Sequence, residues 1–353
     1  MARALQFFEA IREAIEQSMA ADPSVYIMGL GVPDPKAIFG TTRGLQATYG
    51  PGRVMDMPCS EHAMTGVAIG SALVGMRPIL NHQRLDFALL SIEPLVNQAA
   101  KWHYMFGGHL QVPLVIRLIV GRGWGQGPQH SQSLHGWFAH VPGLKVVMPA
   151  TPYDAKGLMV ASIEDNNPVI FIESRWLYHT VGEVPEPRYR VPLGRARVAR
   201  KGQDLTIVAV SWLVIEALRA AEHLADVGVD AEVIDLQTLR PLDAEAILGS
   251  VRATRRLLVA DSGWKTGGFG AEIVALVSEE AGDCLARPPK RVALSDCPVP
   301  TTSALSRLCY PHAGDLVRAA ASLLDVDPAP LEEREELMTA PADVPHSGFT
   351  GPF

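Results

Sequence analysis

Residues 58–80 read PCSEHAMTGVAIGSALVGMRPIL. Ser60 is a residue type that caps helix N-termini, Glu61 is a first-turn acid, and the run to Val74 is apolar on every side until Gly75 ends it. A helix with no polar face is expected to be buried. The run at 77–80 follows at once, short and apolar, and reads as a strand buried on both faces, as strands of parallel sheets are. Working outward, similar runs fall at 25–30, 113–120, 144–148 and 169–173. Helical segments at 95–105 and 152–164 lie between them, and an opening helix carries Phe8, Ile11, Ile15 and Met19 on one face before an Asp22-Pro23-Ser24 break. Strands alternating with helices predict a parallel sheet covered by helices.

From 180 to 200 the pattern lapses into Pro, Gly and charge, and 186–200 reads as a linker. A second alternation follows, with strands at 205–210, 231–236, 256–260 and 291–294 and helices at 213–225, 243–251, 267–280 and from 304. The fold class is therefore α/β with two parallel-sheet domains: 1–185, then 201–325 after the linker, with a Pro-rich acidic tail at 326–353. The 353 residues, 48% of them hydrophobic, suffice for two cores. No apolar run is long enough to span a bilayer, and the N-terminus reads as an amphipathic helix, not a signal peptide, so a cytoplasmic protein is expected. A net charge of -7 without a basic stripe excludes a nucleic-acid partner. The four cysteines, Cys59, Cys284, Cys297 and Cys309, have no metal-like spacing and are expected to be reduced and buried.

Two places can carry chemistry. At Glu61 the helix N-terminus favours a carboxylate while desolvation favours the neutral acid, so the group is either a proton-sharing partner for a ring nitrogen or a plain first-turn acid. The loop GRGWGQGPQHSQS at 121–133 follows the strand at 113–120, where ligands of parallel sheets bind. Its His130 is a proton-transfer candidate, or a surface histidine in a flexible loop. TGGFGAE at 266–272 resembles a phosphate-cradling turn but lacks the full glycine spacing. His135 and His140 are poorly spaced for a shared zinc ion.

The phrases TTRGLQATYGPGRVMDMPCSEH (41–62), GMRPI (75–79), LVNQAAKWHYMFGG (95–108), GPQHSQS (127–133), FAHVPGLKVVMPATPYDAKGL (138–158), NNPVIF (166–171), AEVIDLQTLRPLD (231–243), GGFGAEI (267–273) and SDCPVP (295–300) run in order along the chain. Together they resemble the β subunit of the thiamine diphosphate-dependent E1 component of 2-oxo acid dehydrogenase complexes. The resemblance implies an N-terminal pyrimidine-binding domain and a C-terminal transketolase-type domain. It implies that Glu61 hydrogen-bonds N1′ of the cofactor's aminopyrimidine, so that the exocyclic nitrogen can take the thiazolium C2 proton. It makes Phe87 the aromatic stacked on the pyrimidine, places Gln83 on the cofactor and substrate side, and gives His130 a part in acyl transfer to a lipoyl group. It also implies a monovalent cation, K+, held by the backbone carbonyls of Leu114, Ser162, Asp165 and Asn167.

No GDG motif occurs in the chain, so the family's diphosphate and Mg2+ clamp is expected on an E1 α subunit. The resemblance implies an α2β2 heterotetramer with a shared active site, and an E2 acyltransferase or other lipoyl carrier as further partner. Departures from the family's pattern lie at His62, Arg84, Leu85, Arg122 and Trp124. His62, Arg84 and Trp124 either line a substrate channel that selects a small, anionic or phosphorylated donor or are surface substitutions. The expected function is decarboxylation of a 2-oxo acid, such as pyruvate or a branched-chain one, with reductive acylation of a lipoyl carrier. The alternatives are a split transketolase-like enzyme moving a two-carbon ketol unit, and a non-catalytic assembly subunit. The donor, the acceptor and the partner subunit are not readable from the sequence.

Overall fold

The computed structural model describes residues 2–122, 126–306 and 308–327. They divide into two compact units: Met1–Gly121 with Trp137–Leu193 and Leu239–Pro241, and Arg122–Gly136 with Gly194–Thr238 and Leu242–Phe353. Strands are numbered in chain order.

The first unit is built on a seven-stranded sheet in the order β12-β6-β7-β5-β4-β2-β3. Its strands are β2 (Val25–Gly29), β3 (Val54–Met55), β4 (Arg77–His82), β5 (Val115–Val120), β6 (Lys145–Val147), β7 (Val169–Ser174) and β12 (Thr238–Arg240). The pairings from β3 through to β6 are parallel. Every residue of VIRLIV in β5 and of VIFIES in β7 is buried, as strands covered on both faces require. The helix Phe7–Ala21 packs Ile11, Ile15 and Met19 inward as expected, together with Ala10 and Ala14, and Phe7 is buried in place of the expected Phe8. Its start is fixed by the Glu9 carboxylate accepting the Gln6 N–H at 2.8 Å. It lies beside the helix Pro152–Glu164, where the wholly buried Lys156 donates to Glu13 at 2.7 Å and to the carbonyls of Pro185 and Glu186.

The second unit carries a five-stranded sheet in the order β14-β13-β10-β11-β9. It comprises β9 (Arg197–Arg200), β10 (Leu205–Ala209), β11 (Ala231–Asp235), β13 (Leu257–Trp264) and β14 (Lys290–Leu294), parallel apart from β9. The helices Leu213–Ala225, Ala244–Thr254, Phe269–Ala281 and Ala313–Leu324 belong to it.

Several expectations are corrected. Residues 186–200 are not all linker: β9 forms there, held by Arg197 to Asp235 and Arg200 to Asp230, each at 2.9 Å. Just before them β8 (Val181–Pro185) pairs antiparallel with β1 (Ala2–Gln6), which polar residues had concealed. The segment 122–136 belongs with the second unit, and the helix expected from 304 is a short one, Ser303–Ser306, followed by a separate helix, Ala313–Leu324. The expected helix at 95–105 is a π turn, Pro94–Ala99, and then a short helix, Trp102–Met105; the wider turn brings Leu95, Ala99 and Ala100 into the core. Helix Glu61–Leu73 is not buried all round: Thr65, Ala68, Ile69 and Ala72 face the core, whereas Ala63, Gly66, Val67 and Gly70 are exposed. Ser60 stands at its N-cap position without a capping side-chain bond. Cys59 and Cys297 are exposed, not buried. Among the described residues no helix is long and apolar enough to cross a membrane.

His82, at the carboxyl end of β4, is 2% exposed, and among the described residues its Nε2 has no hydrogen-bond partner. Burial lowers its pKa to about 4, so the folded state favours the neutral ring. Stability from this group is complete above the unfolded value near 6.5 and is lost as pH falls toward about 4, on the order of 3 kcal/mol in all. Urea unfolding from pH 7 to pH 4 should therefore show a decline that His82→Phe flattens; equal slopes in both proteins would assign the decline to other groups.

Candidate functional site

In the first unit the candidate residues gather where β2 and β4 end. Gln83 follows β4, and its amide donates to the Leu30 carbonyl just past β2 at 2.9 Å. Gly31, with φ +73°, donates to Asp56 Oδ1 at 2.9 Å; the left-handed backbone favours glycine, and a Cβ there would stand 2.8 Å from the Gln83 amide and displace it. Phe87 is half-buried in the 3-10 segment Leu85–Ser91. That segment is tied to the first turn of helix Glu61–Leu73, because Thr65 Oγ1 lies 2.7 Å from the Glu61 carbonyl and 2.8 Å from Ser91 Oγ.

Glu61 opens the helix and is 7% exposed. Among the described residues, the side-chain donor near its carboxylate is the weak one of Cys59, with Sγ 3.9 Å from Oε1. A carboxylate so enclosed and so poorly partnered has acceptor capacity left for a ligand's N–H. His62 is exposed, its Nε2 3.8 Å from Glu93 Oε2.

In the second unit the centre is Asp261. A register shift between Asp261 and Trp264 in β13 turns its side chain toward the start of helix Phe269–Ala281. There Oδ2 accepts the Gly270 N–H at 2.7 Å and Oδ1 accepts the Gly263 N–H at 2.9 Å. His135, 1% exposed, places Nε2 at 2.8 Å from Asp261 Oδ1, and its Nδ1 lies 3.0 Å from Ser133 Oγ. Burial raises the Asp261 pKa, but His135 and the two amides more than offset it, and the carboxyl is held below its usual value. This chain anchors the loop that carries the half-buried His130. At Gly127, with φ +65°, a Cβ would stand 2.8 Å from Thr301 Oγ1, so the loop is also closely packed on its other side.

Residues 3–180 match the pyrimidine-binding domain of transketolase and residues 194–315 match the transketolase C-terminal domain. The chain is 44% identical over 330 residues to the β subunit of acetoin:2,6-dichlorophenolindophenol oxidoreductase from Cupriavidus necator, covering 91% of this chain and 97% of that one. It is 42% identical over 316 residues to the mitochondrial pyruvate dehydrogenase E1 subunit beta-2 of Oryza sativa subsp. japonica, covering 88% and 84%. The chain belongs to this E1 β family. Its fold is also that of a solved split-gene transketolase in an inactive beta4 tetramer, with TM-score 0.75 and 24% identity over 90% of this chain and 98% of that chain.

Seen as an E1 β-type chain, the predicted residues fall out as follows. Glu61, Gln83 and Phe87 come together through neighbouring elements of the first unit, and His130 lies in the second. Trp124 lies outside the described residues. Arg84 is 4% exposed and packs inward with its guanidinium 5.0 Å from the Phe39 ring; burial lowers its pKa to about 10. Of the four carbonyls expected to hold a monovalent cation, that of Leu114 accepts Val169 N–H at 2.9 Å, that of Ser162 accepts Asp165 N–H at 3.3 Å and that of Asp165 accepts the Arg77 guanidinium at 3.1 Å. The described residues contain no cluster of three or more His, Cys, Asp or Glu able to hold a metal. A groove of about 670 Å3 runs along helix Phe7–Ala21 and is lined by Arg3, Glu13, Arg12 and Glu16, which pair with one another, and by none of the candidate residues.

The sequence reading missed the Asp261–His135–Ser133 chain. The signal was present as an acid ahead of a glycine turn, DSGWKTGGFG at 261–270, whose amides an internal carboxylate can satisfy. Asp261→Asn should cost about 3 kcal/mol in urea unfolding, because it removes the charge that satisfies two buried amides and a buried histidine. A loss below about 1 kcal/mol would mean that the loop is anchored elsewhere.

Proposed function

We propose that this chain is the β half of a thiamine diphosphate-dependent enzyme acting on a 2-oxo acid, an oxidoreductase that passes the acyl group to a lipoyl carrier. The observation that carries the reading is Glu61: a carboxylate 7% exposed at a helix start, with no stronger side-chain donor than a thiol, in a chain of the E1 β family. Bound thiamine diphosphate would supply a thiazolium able to accept the electron pair released when a carbon–carbon bond next to a carbonyl breaks. Glu61 would hold the proton at N1′ of the aminopyrimidine, Phe87 would lie against that ring, and Gln83 would fix the loop between the ends of β2 and β4. His130 would serve as proton-transfer group for the acyl acceptor.

The absence of a GDG motif and, among the described residues, of a metal-holding cluster supports the diphosphate and its Mg2+ being held by an α subunit, in an α2β2 heterotetramer, with an E2-type protein as lipoyl carrier. The open side of helix Glu61–Leu73 supports the same partner. Val67 is 54% exposed and nothing would lie within 4 Å of a Cβ at Gly66 or Gly70, so another backbone can approach closely there. Val67→Asp should weaken co-purification of an E1 α-type subunit at least about ten-fold, since it places a charge on an apolar contact; unchanged assembly would remove this face from the interface.

The similarity to the acetoin oxidoreductase β subunit favours one second reading, an α-hydroxy ketone as donor. Calorimetric titration with thiamine diphosphate and Mg2+, on the chain alone and together with an E1 α-type subunit, tests the shared site. Binding in the pair only, abolished by Glu61→Ala with assembly intact, is the expected result. Binding by neither, or assembly lost in Glu61→Ala, would overturn the assignment. Carbon dioxide release from 2-oxo acids against aldehyde release from acetoin then separates the two donors.

A further inference from the structure

Cys297 and Cys309 are twelve positions apart, yet their sulfurs lie 3.7 Å from one another. Cys297 sits in the turn after β14, exposed, with its carbonyl accepting the Trp264 indole N–H at 2.9 Å. Cys309 is 8% exposed and its Sγ is 3.8 Å from the Leu305 carbonyl. A disulfide has its sulfurs about 2.05 Å apart, so the pair stands in van der Waals contact, unbonded. The two positions differ in access: solvent reaches Cys297, while Cys309 faces it from the protein side.

We propose that Cys297 and Cys309 form a reversible redox pair, in which Cys297 is the sulfur oxidised by a hydroperoxide and Cys309 is the sulfur that resolves it. In the first step the Cys297 thiolate attacks a peroxide oxygen, the O–O bond breaks, and a sulfenic acid and hydroxide form. In the second the Cys309 sulfur attacks the Cys297 sulfur, the S–O bond breaks and water leaves. Overall two thiols give up two electrons and two protons, and one hydrogen peroxide becomes two water molecules. Burial and the neighbouring Cys297 thiol push the Cys309 pKa up to about 11, which keeps it a thiol and disfavours it as the sulfur first oxidised.

The bond would close the chain between 297 and 309 into a ring that includes Thr301, the residue against Gly127 in the loop carrying His130. Tyr310, next to Cys309, is buried with the Arg122 guanidinium 4.7 Å from its ring, at the other end of that loop. Oxidation would therefore brace a loop that the reduced protein holds only by non-covalent contacts.

The test is to treat the full chain with hydrogen peroxide, alkylate the remaining thiols with iodoacetamide, and measure intact mass and tryptic peptides before and after dithiothreitol. The expected result is a species lighter than the reduced chain by about 2 Da before alkylation, with a Cys297–Cys309 cross-linked peptide that dithiothreitol removes and with Cys59 and Cys284 alkylated. Cys309→Ser should instead leave a sulfenic acid at Cys297 that dimedone traps, and Cys297→Ser should leave Cys309 unoxidised. Sulfinic or sulfonic acid at Cys297 beside a free Cys309, or cross-links between chains only, would overturn the proposal. So would dimedone trapping at Cys309 in Cys297→Ser, which would reverse the roles.

Discussion

The Asp261 carboxylate is the constraint on which the second unit's functional loop depends. Taking a charge out of water is costly, and at 3% exposure Asp261 remains ionised only because two amides and His135 surround it. The amide of Gly270 belongs to the first turn of helix Phe269–Ala281, so the acid occupies the position at which that helix end would otherwise attract an external anion. The glycine turn there resembles a phosphate cradle, but its Gly270 amide is taken by the chain's own acid. Its glycines let the backbone close around an internal carboxylate: a Cβ at Gly268 would stand 3.0 Å from Asp261 Oδ2 and 2.2 Å from the Trp264 carbonyl. Through His135 and Ser133 the same charge fixes the path of the chain away from β5, which is why the segment Arg122–Gly136 belongs to a unit remote in sequence.

The first unit uses buried charge differently. Arg117 and Glu173, on adjacent strands β5 and β7, meet at 2.5 Å with neither side chain exposed, and Tyr178 Oη lies 3.4 Å from the Arg117 guanidinium. Burial pushes the Glu173 carboxyl and the Tyr178 hydroxyl up, while the pairing keeps Arg117 protonated. Above this cluster Arg84 and Arg175 lie 5.0 and 4.4 Å from the Phe39 ring. Phe39 ends a run of three left-handed residues, Ala37, Ile38 and Phe39, each a strained conformation costing of order 1–3 kcal/mol. The run persists because Thr42 N–H bonds back to the Ala37 carbonyl at 3.1 Å, Thr42 Oγ1 bonds to that of Val32 at 2.8 Å, and two guanidinium groups hold the ring. Strain of this kind shapes the loop after β2.

Strand and helix order was legible because apolar period and length carry it; the helices Pro152–Glu164 and Leu213–Ala225 fall at the boundaries read from the sequence. What escaped was set by pairing across distance. β1 and β9 have alternating polar residues and gain their identity from partners at β8 and β11, about 180 and 35 positions away, which no local pattern reports. The π turn at Pro94–Ala99 escaped because helical spacing over eleven residues does not reveal one inserted residue. At the candidate site, Glu61, Gln83 and Phe87 were legible through motif order. The poverty of donors around Glu61 and the inward turn of Arg84 depend on neighbours that only folding supplies.

Helix Glu61–Leu73 joins these threads. Its sequence is apolar all round, which predicts burial all round, yet the chain by itself buries Glu61, Thr65, Ala68, Ile69 and Ala72 and leaves one side open. The uncovered side is made of small residues, with Val67 between Gly66 and Gly70, a composition that gains nothing in water and suits close approach by another backbone. The sequence pattern and the exposure of the single chain therefore disagree on one helix face, and a partner subunit seated there, as proposed, would reconcile them. Glu61 begins that same helix. A partner seated on the open side would fix the helix whose first residue is the proposed cofactor contact, so that assembly and the completion of a half-site become one event and not two.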